Sequence, residues 1–283
     1  MLVSSVSSVA LGYARASDTV TSQHALSSAN TSAPARTSEQ LSSLVGELER
    51  LLAMLSARLK PVDITTLPAQ APDHRTGKSN EFLKGTPANK GSKPTDIFRD
   101  FYQLTEGNCV TISAIKAAMM RFGHNPYGIY KTIETTDTGY RIVMRDRFKL
   151  DITHDELAQA KAGANFGSDR PNDVLVNAQF LYAVSAKRAY LENNDGEANL
   201  SFAAAMRSLN DGEYPGQALR RLGLKDFVAP ASLHDLLSGA IGTVTGGFHS
   251  MAVVDGFLDI YGNKQPLHYR DTNRYAAVGL KLL

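Results

Sequence analysis

Apolar residues recur along this chain in two periods. Leu41, Leu44, Val45, Leu48, Leu51, Leu52, Leu55 and Leu59 fall three and four apart and predict an amphipathic helix over Ser38–Leu59. Thr37 or Ser38 caps it, and Glu39 suits its first turn. Ile112, Ile115, Met119 and Phe122 predict a second helix over Thr111–Arg121, stopped by Gly123. Val174–Glu192 predicts a long helix that ends in the turn cluster Asn193-Asn194-Asp195-Gly196. Thr153 to about Ala160, Gly216–Leu222 and Ala231–Leu237 read as short helices, and Ser201–Leu209 as helical or irregular. Tyr140–Met144 and Arg147–Leu150 read as a short hairpin. Near the end come a strand over Phe248–Leu258, a turn at Tyr261–Lys264, a returning strand at Leu267–Arg270 and a final strand at Ala276–Leu282. Helices first and antiparallel strands last define an α+β class.

Two segments lack either period. Met1–Thr37 is dominated by Ser, Thr and Ala, with Asp18 its only acid. Such a stretch buries too little apolar surface to offset chain entropy, so 1–37 reads as a disordered leader. Ser4, Ser5, Ser7 and Ser8 interrupt its apolar residues and no Lys or Arg precedes Arg15, which excludes a Sec signal. Its Ser-rich, acid-poor composition suits an organellar transit peptide, and it also resembles a bacterial type III secretion leader. An untargeted tail is the plain alternative. Leu2 excludes N-myristoylation. Lys60–Pro94, rich in Pro, Lys, Thr, Gly and Ser, reads as a linker. A boundary near 90–95 leaves 95–283 as one domain. The helix 38–59 stands between these segments, and its apolar stripe needs cover. That cover is the chain's own domain, a partner helix or a secretion chaperone, and the sequence does not separate them.

Composition narrows the function classes. The 283 residues carry 30 basic and 28 acidic side chains, a net charge of +2, which argues against nucleic acid as the main partner. One cysteine excludes an internal disulfide framework and a multi-thiolate zinc site. No run approaches about 20 uninterrupted apolar residues, so no membrane span is expected. There is no phosphate-binding Gly-rich loop, no His-Glu-x-x-His helix and no acidic loop of calcium-binding spacing, so no cofactor or metal is expected. Arg141, Arg145, Arg147 and Lys149 form a basic run that reads as a solvated strand face.

The single thiol has a particular setting. Cys109 lies where a loop becomes a helix, and the free N–H groups and dipole of a first turn favour a thiolate there. Gly107 permits close backbone approach just before it. Gln103, on the entering loop, has an amide able to point back, forming an oxyanion hole with the Cys109 N–H. Inert core burial is the ordinary alternative for a free cysteine.

Gln103-x3-Gly107-x-Cys109 followed by an Ala-rich apolar helix resembles the papain-like cysteine peptidases. The run from Glu106 to Ala117 is most similar to the calpain-type active-site helix, with Val110 where papain and calpain place Trp. Leu181–Tyr190 and Gly212–Leu219 are more weakly similar to the calpain helix and Gly-rich segment before the histidine. The resemblance covers about 95–283 and implies a papain-like fold, a helical subdomain followed by an antiparallel sheet.

A thiolate needs a base, and the base an orienter. Of seven histidines, His24 and His74 fall in leader and linker. His124 lies at the far end of the cysteine helix, and His154 and His234 read as surface residues. His249, in Gly246-Gly247-Phe248-His249-Ser250-Met251-Ala252-Val253-Val254, resembles the strand that carries the papain-like histidine. Asp271, in Asp271-Thr272-Asn273, falls where relatives place the orienting residue and resembles the Asp of YopT-like effector peptidases. Asn273 competes for that role, and turn chemistry is the ordinary explanation of the triplet. Asp255 shares a strand face with His249 but lies about 20 Å away if the strand is continuous.

The resemblance implies catalytic Cys109, His249, Asp271 and Gln103, in thiol acyl transfer that cuts a host protein after secretion into a host cell. A deamidase or transglutaminase using the same residues is one alternative. An inactive papain-like binding module is the other.

Overall fold

The computed structural model describes residues 79–246, 249–269 and 278–283. The predicted leader, the helix 38–59, most of the linker, Asp271 and Asn273 lie outside the described residues. By internal contacts the chain divides into Met1–Gln70 and Ala71–Leu283, and every described residue belongs to the second unit.

Nine α-helices are described: α1 Ser79–Phe82, α2 Ile97–Asp100, α3 Cys109–Phe122, α4 Pro126–Ile129, α5 His154–Gly163, α6 Asp173–Glu192, α7 Phe202–Arg207, α8 Gln217–Arg221 and α9 Leu233–Leu237. The described strands are β1 Tyr102–Gln103, β2 Thr132–Thr135, β3 Gly139–Val143, β4 Lys149–Thr153, β5 Phe166–Gly167, β6 Val228–Pro230, β7 Gly242–Gly246, β8 His249–Val254, β9 Phe257–Ile260, β10 Asn263–Pro266 and β11 Val278–Leu282. They form a six-stranded sheet in the order β10-β9-β8-β7-β11-β6, a three-stranded sheet β2-β3-β4 and the pair β1-β5, all antiparallel. The predicted α+β class describes this architecture.

Helix α3 is the centre. Apart from Lys116 its first twelve residues are uncharged, and Val110 through Met119 are buried all round. It packs against β8 on one side and against α6 and α8 on others. Ala114, Ala117 and Ala118 keep these neighbours close, while Ile112, Ile115 and Met119 each contribute about 1.5–3 kcal/mol of apolar burial. Gly123, at φ 100°, ends the helix and donates its N–H to the Met119 carbonyl. The opposite face of the large sheet is covered by a smaller cluster that includes Leu236 of α9 with Val244, Met251, Val253 and Leu258.

Two expectations need correction. The predicted strand Phe248–Leu258 is two strands. Asp255 (φ 51°) and Gly256 (φ 76°) are both left-handed and form a two-residue hairpin turn, so Val254 pairs with Phe257. Tyr261 (φ 51°) and Gly262 (φ 83°) repeat the device, pairing Ile260 with Asn263. The returning strand is therefore Asn263–Pro266, rather than Leu267–Arg270.

The predicted linker also fails over 79–94. Phe82 and Leu83 are buried in the main core, and the Lys84 N–H donates to Asn177 Oδ1 at 2.8 Å. The Lys90 carbonyl lies against Gly123 and Gly128, where a Cβ would approach it to 2.3 and 2.2 Å. Polar composition concealed a segment fixed by two apolar anchors and by backbone contacts.

Candidate active site

Cys109 is the first residue of α3, half-buried and packed against the main core. The preceding loop is tightly held. Asn108 is fully buried and donates from Nδ2 to the Ala164 carbonyl at 2.9 Å. A Cβ on Gly107 would meet the Asn210 carbonyl at 2.4 Å, so the close approach expected of this glycine is to the chain's own backbone. Glu106 accepts from Asn210 Nδ2 at 3.2 Å.

Gln103 lies on β1, opposite Phe166 of β5, rather than on an irregular loop. Its Nε2 donates to the Glu106 carbonyl at 2.5 Å, so the amide points back toward the loop that enters α3. A primary amide has two N–H groups, and one is engaged in this way.

His249 opens β8 opposite Gly246 of β7. Its neighbour Ser250 is buried, and the hydroxyls of Ser113 and Ser250 lie 2.8 Å apart. Ser113 is about one helical turn from Cys109, about 6 Å along the axis. This contact joins the first turns of α3 to the start of β8. A second contact joins the Gln103 side. Gly262 packs against the ring of Tyr102, the neighbour of Gln103, at 2.8 Å from its would-be Cβ. The adjacent Tyr261 stacks on the His249 imidazole, with ring centroids 4.4 Å apart and planes 13° apart. Tyr102 and Tyr261 both line a cavity of about 210 Å³, with the Arg99–Asp169 ion pair at its edge.

The carboxylate whose charge acts on His249 is Asp259 of β9. It is buried, accepts from the Gly262 N–H at 3.1 Å and pairs with the fully buried Lys116 of α3 at 2.8 Å. Lys116 also donates to the Phe98 carbonyl at 3.1 Å and sits 5.1 Å from the Phe101 ring centre. Burial pushes the Asp259 carboxyl up and the Lys116 ammonium down, and each charge opposes the other's penalty. Burial holds the His249 imidazole below its ordinary value, and Asp259 partly opposes that shift.

Asp259, Tyr261 and Lys116 were missed in the sequence, and Asp271 lies outside the described residues. The signal for Asp259 and Tyr261 was Asp255-Gly256, a strong hairpin dipeptide that folds the next strand back along β8. The signal for Lys116 was its isolation among uncharged residues. Asp255 occupies the hairpin turn instead of a shared strand face. His154, expected at the surface, is half-buried, its ring stacked on Phe82 with the edge of Tyr140 against it. His234 is exposed, and His124 lies 3.4 Å from Asn177 Nδ2.

Asp195, Asp211 and Glu213 bring carboxylate oxygens within 4.8 Å of one another, but Glu213 is ion-paired with the fully buried Arg221. That cluster neutralises a buried guanidinium. No described helix is long and apolar enough to cross a membrane. No protein-family model, no curated protein and no solved structure matches this chain.

Proposed function

We propose that this chain is a papain-like cysteine peptidase that cleaves a protein substrate by thiol acyl transfer. The observation that carries the proposal is the buried Ser113–Ser250 contact, which draws the helix start bearing the only thiol toward the strand start bearing His249. The engagement of the Gln103 amide with the entering loop supports the same assignment. The Ser-rich leader adds the reading of a type III effector acting on a host protein.

In this mechanism His249 acts as the base, and burial, by lowering its pKa, favours the neutral imidazole that accepts a proton. It takes the Cys109 thiol proton as sulfur attacks the scissile carbonyl. The Cys109 N–H and the second Gln103 N–H stabilise the oxyanion. The imidazolium then returns the proton to the departing amine as the C–N bond breaks. Water, deprotonated by His249, hydrolyses the thioester and frees the thiol. Asp259 supplies a charge that favours the imidazolium formed midway, beside the orienting role proposed for Asp271.

The test is the rate of Cys109 alkylation against pH in the full chain and in His249→Ala. An alkylation profile that loses its low-pH component in His249→Ala supports the assignment. A thiol that stays unreactive in the folded protein, or reacts identically in both, overturns it.

A further inference from the structure

The largest cavity among those described lies at the other end of α3 from Cys109. Its volume is about 610 Å³, and Phe122, the last residue of α3, is in its wall. Phe122 is about 20 Å along the helix axis from Cys109. Four cations line this cavity: Lys90, Lys131, Arg145 and Arg147. Among the described residues no carboxylate lines it. The nearest acid in sequence, Asp146, is buried and paired with Arg188 at 2.7 Å.

The cations are placed on a fixed frame. Arg145 donates to the Gly128 carbonyl at 2.7 Å and to the Ile129 carbonyl at 2.9 Å. Its guanidinium lies 4.7 Å from the Phe122 ring centre and 5.2 Å from that of Phe227. Its other N–H groups have no acceptor among the described residues. Lys90 is held by the contact of its carbonyl with Gly123 and Gly128. Arg147 sits at φ 69°, a conformation that favours Gly or Asn, so turn geometry does not account for an arginine there. Lys90, Lys131 and Arg147 have no ion-pair partner among the described residues. Four like charges facing one cavity without a carboxylate repel one another, and a bound anion removes that cost.

We propose that this cavity binds a base-free small molecule carrying several phosphate groups. One phosphate is too small for a space of some twenty water volumes at about 30 Å³ each. Concave walls and a chain net charge of only +2 favour a compact polyanion over a nucleic acid or a membrane surface. Arg145 covers one face each of Phe122 and Phe227, and of the lining tyrosines Tyr127 and Tyr130 the second is buried, so charge outweighs base stacking as the basis of recognition. Arginine forks and lysine ammoniums suit phosphate oxygens.

The experiment is calorimetric titration of the full chain with inositol hexakisphosphate. Inorganic phosphate and ATP serve as comparators, and vesicles containing a phosphoinositide form a separate arm. Saturable binding of the hexakisphosphate is expected, tighter than that of either comparator. The double variant Lys131→Glu/Arg147→Asn, both sites exposed and the second suited to a positive φ, should weaken binding at least about tenfold. Lys90→Gln should weaken it less, and provides the readout if the double variant unfolds. Arg207→Glu, an exposed arginine on α7, should leave binding unchanged. Equal affinity in wild type and both pocket variants overturns the proposal. So does binding no tighter than that of inorganic phosphate, or binding to vesicles without binding of the soluble compound.

Discussion

The hydroxyls of Ser113 on α3 and Ser250 on β8 meet at 2.8 Å inside the core. Ser113 also donates to the Val110 carbonyl at 3.1 Å. A hydroxyl has one proton, so Ser250 donates within the pair and Ser113 accepts. The consequence is asymmetric. Ser250→Ala leaves Ser113 its bond to Val110 and should cost about 0.5–1.5 kcal/mol. Ser113→Ala leaves a buried donor on Ser250 without an acceptor and should cost about 1–3 kcal/mol. Urea denaturation of the two variants checks the order; equal losses would remove the assigned donor direction.

Tyr261 covers one face of the His249 ring. Burial is the main cause of the lowered imidazole pKa, so opening that face to water should reverse part of the shift. Tyr261→Ala is expected to move the His249 titration upward toward its ordinary value, followed by the imidazole proton resonances. A downward movement or none would show that the tyrosine does not shield the ring.

Lys116 and Asp259 form a buried ion pair that joins α3 to β9. Removing either charge strands the other in the core. Lys116→Met alone should therefore cost about 3–5 kcal/mol. The double variant Lys116→Met/Asp259→Leu should recover much of that loss, because apolar residues of similar volume often replace a buried pair at little cost. Under the proposed mechanism the double variant is stable but slow, having lost the charge that favours the His249 imidazolium. Stability and turnover measured together separate the two roles of Asp259. Full activity in a stable double variant would show that turnover does not need the Asp259 charge.

His124 and His249 are both held below the ordinary imidazole value, chiefly by burial. The unfolded chain then binds protons at a pH where the folded chain does not. The resulting stability is complete above the unfolded value of about 6.5 and is lost as pH falls through the lowered folded values. The denaturation midpoint should drop more steeply below that pH in wild type than in His124→Gln/His249→Gln. Parallel profiles would place the acid sensitivity elsewhere.

The sequence disclosed local features and concealed their associations. The α3 pattern and its glycine stop were legible because helical period and capping are local. So was the setting of Cys109 at a helix start. The hairpin at Asp255-Gly256 was equally local, but the apolar run Met251–Val254 read on through it as one long strand. That error hid Asp259 and Tyr261, because a side chain near His249 across a turn is found only when the turn is recognised. Lys116 was hidden for a different reason. Lysine usually marks a solvated face, and its burial depends on an acid 143 positions away in the chain. The cationic cavity depends on four separated segments, and its arginines read in sequence as one exposed strand face.

Residues 79–94 provide a test of where the folded unit begins. Their composition predicts a linker, yet Phe82 and Leu83 are buried in the main core, and Lys84 bonds to Asn177 of α6. Burying these two side chains contributes about 3–6 kcal/mol, and the Lys84 N–H leaves Asn177 Oδ1 without this donor when the segment is removed. A chain beginning at residue 95 should therefore unfold at a markedly lower denaturant concentration than one beginning at 71. Phe82→Ala in the longer chain should reproduce part of the loss, since deletion of a buried phenylalanine costs about 3–5 kcal/mol. A full-stability chain from residue 95 would restore the linker reading and detach the Lys90 wall from the folded unit.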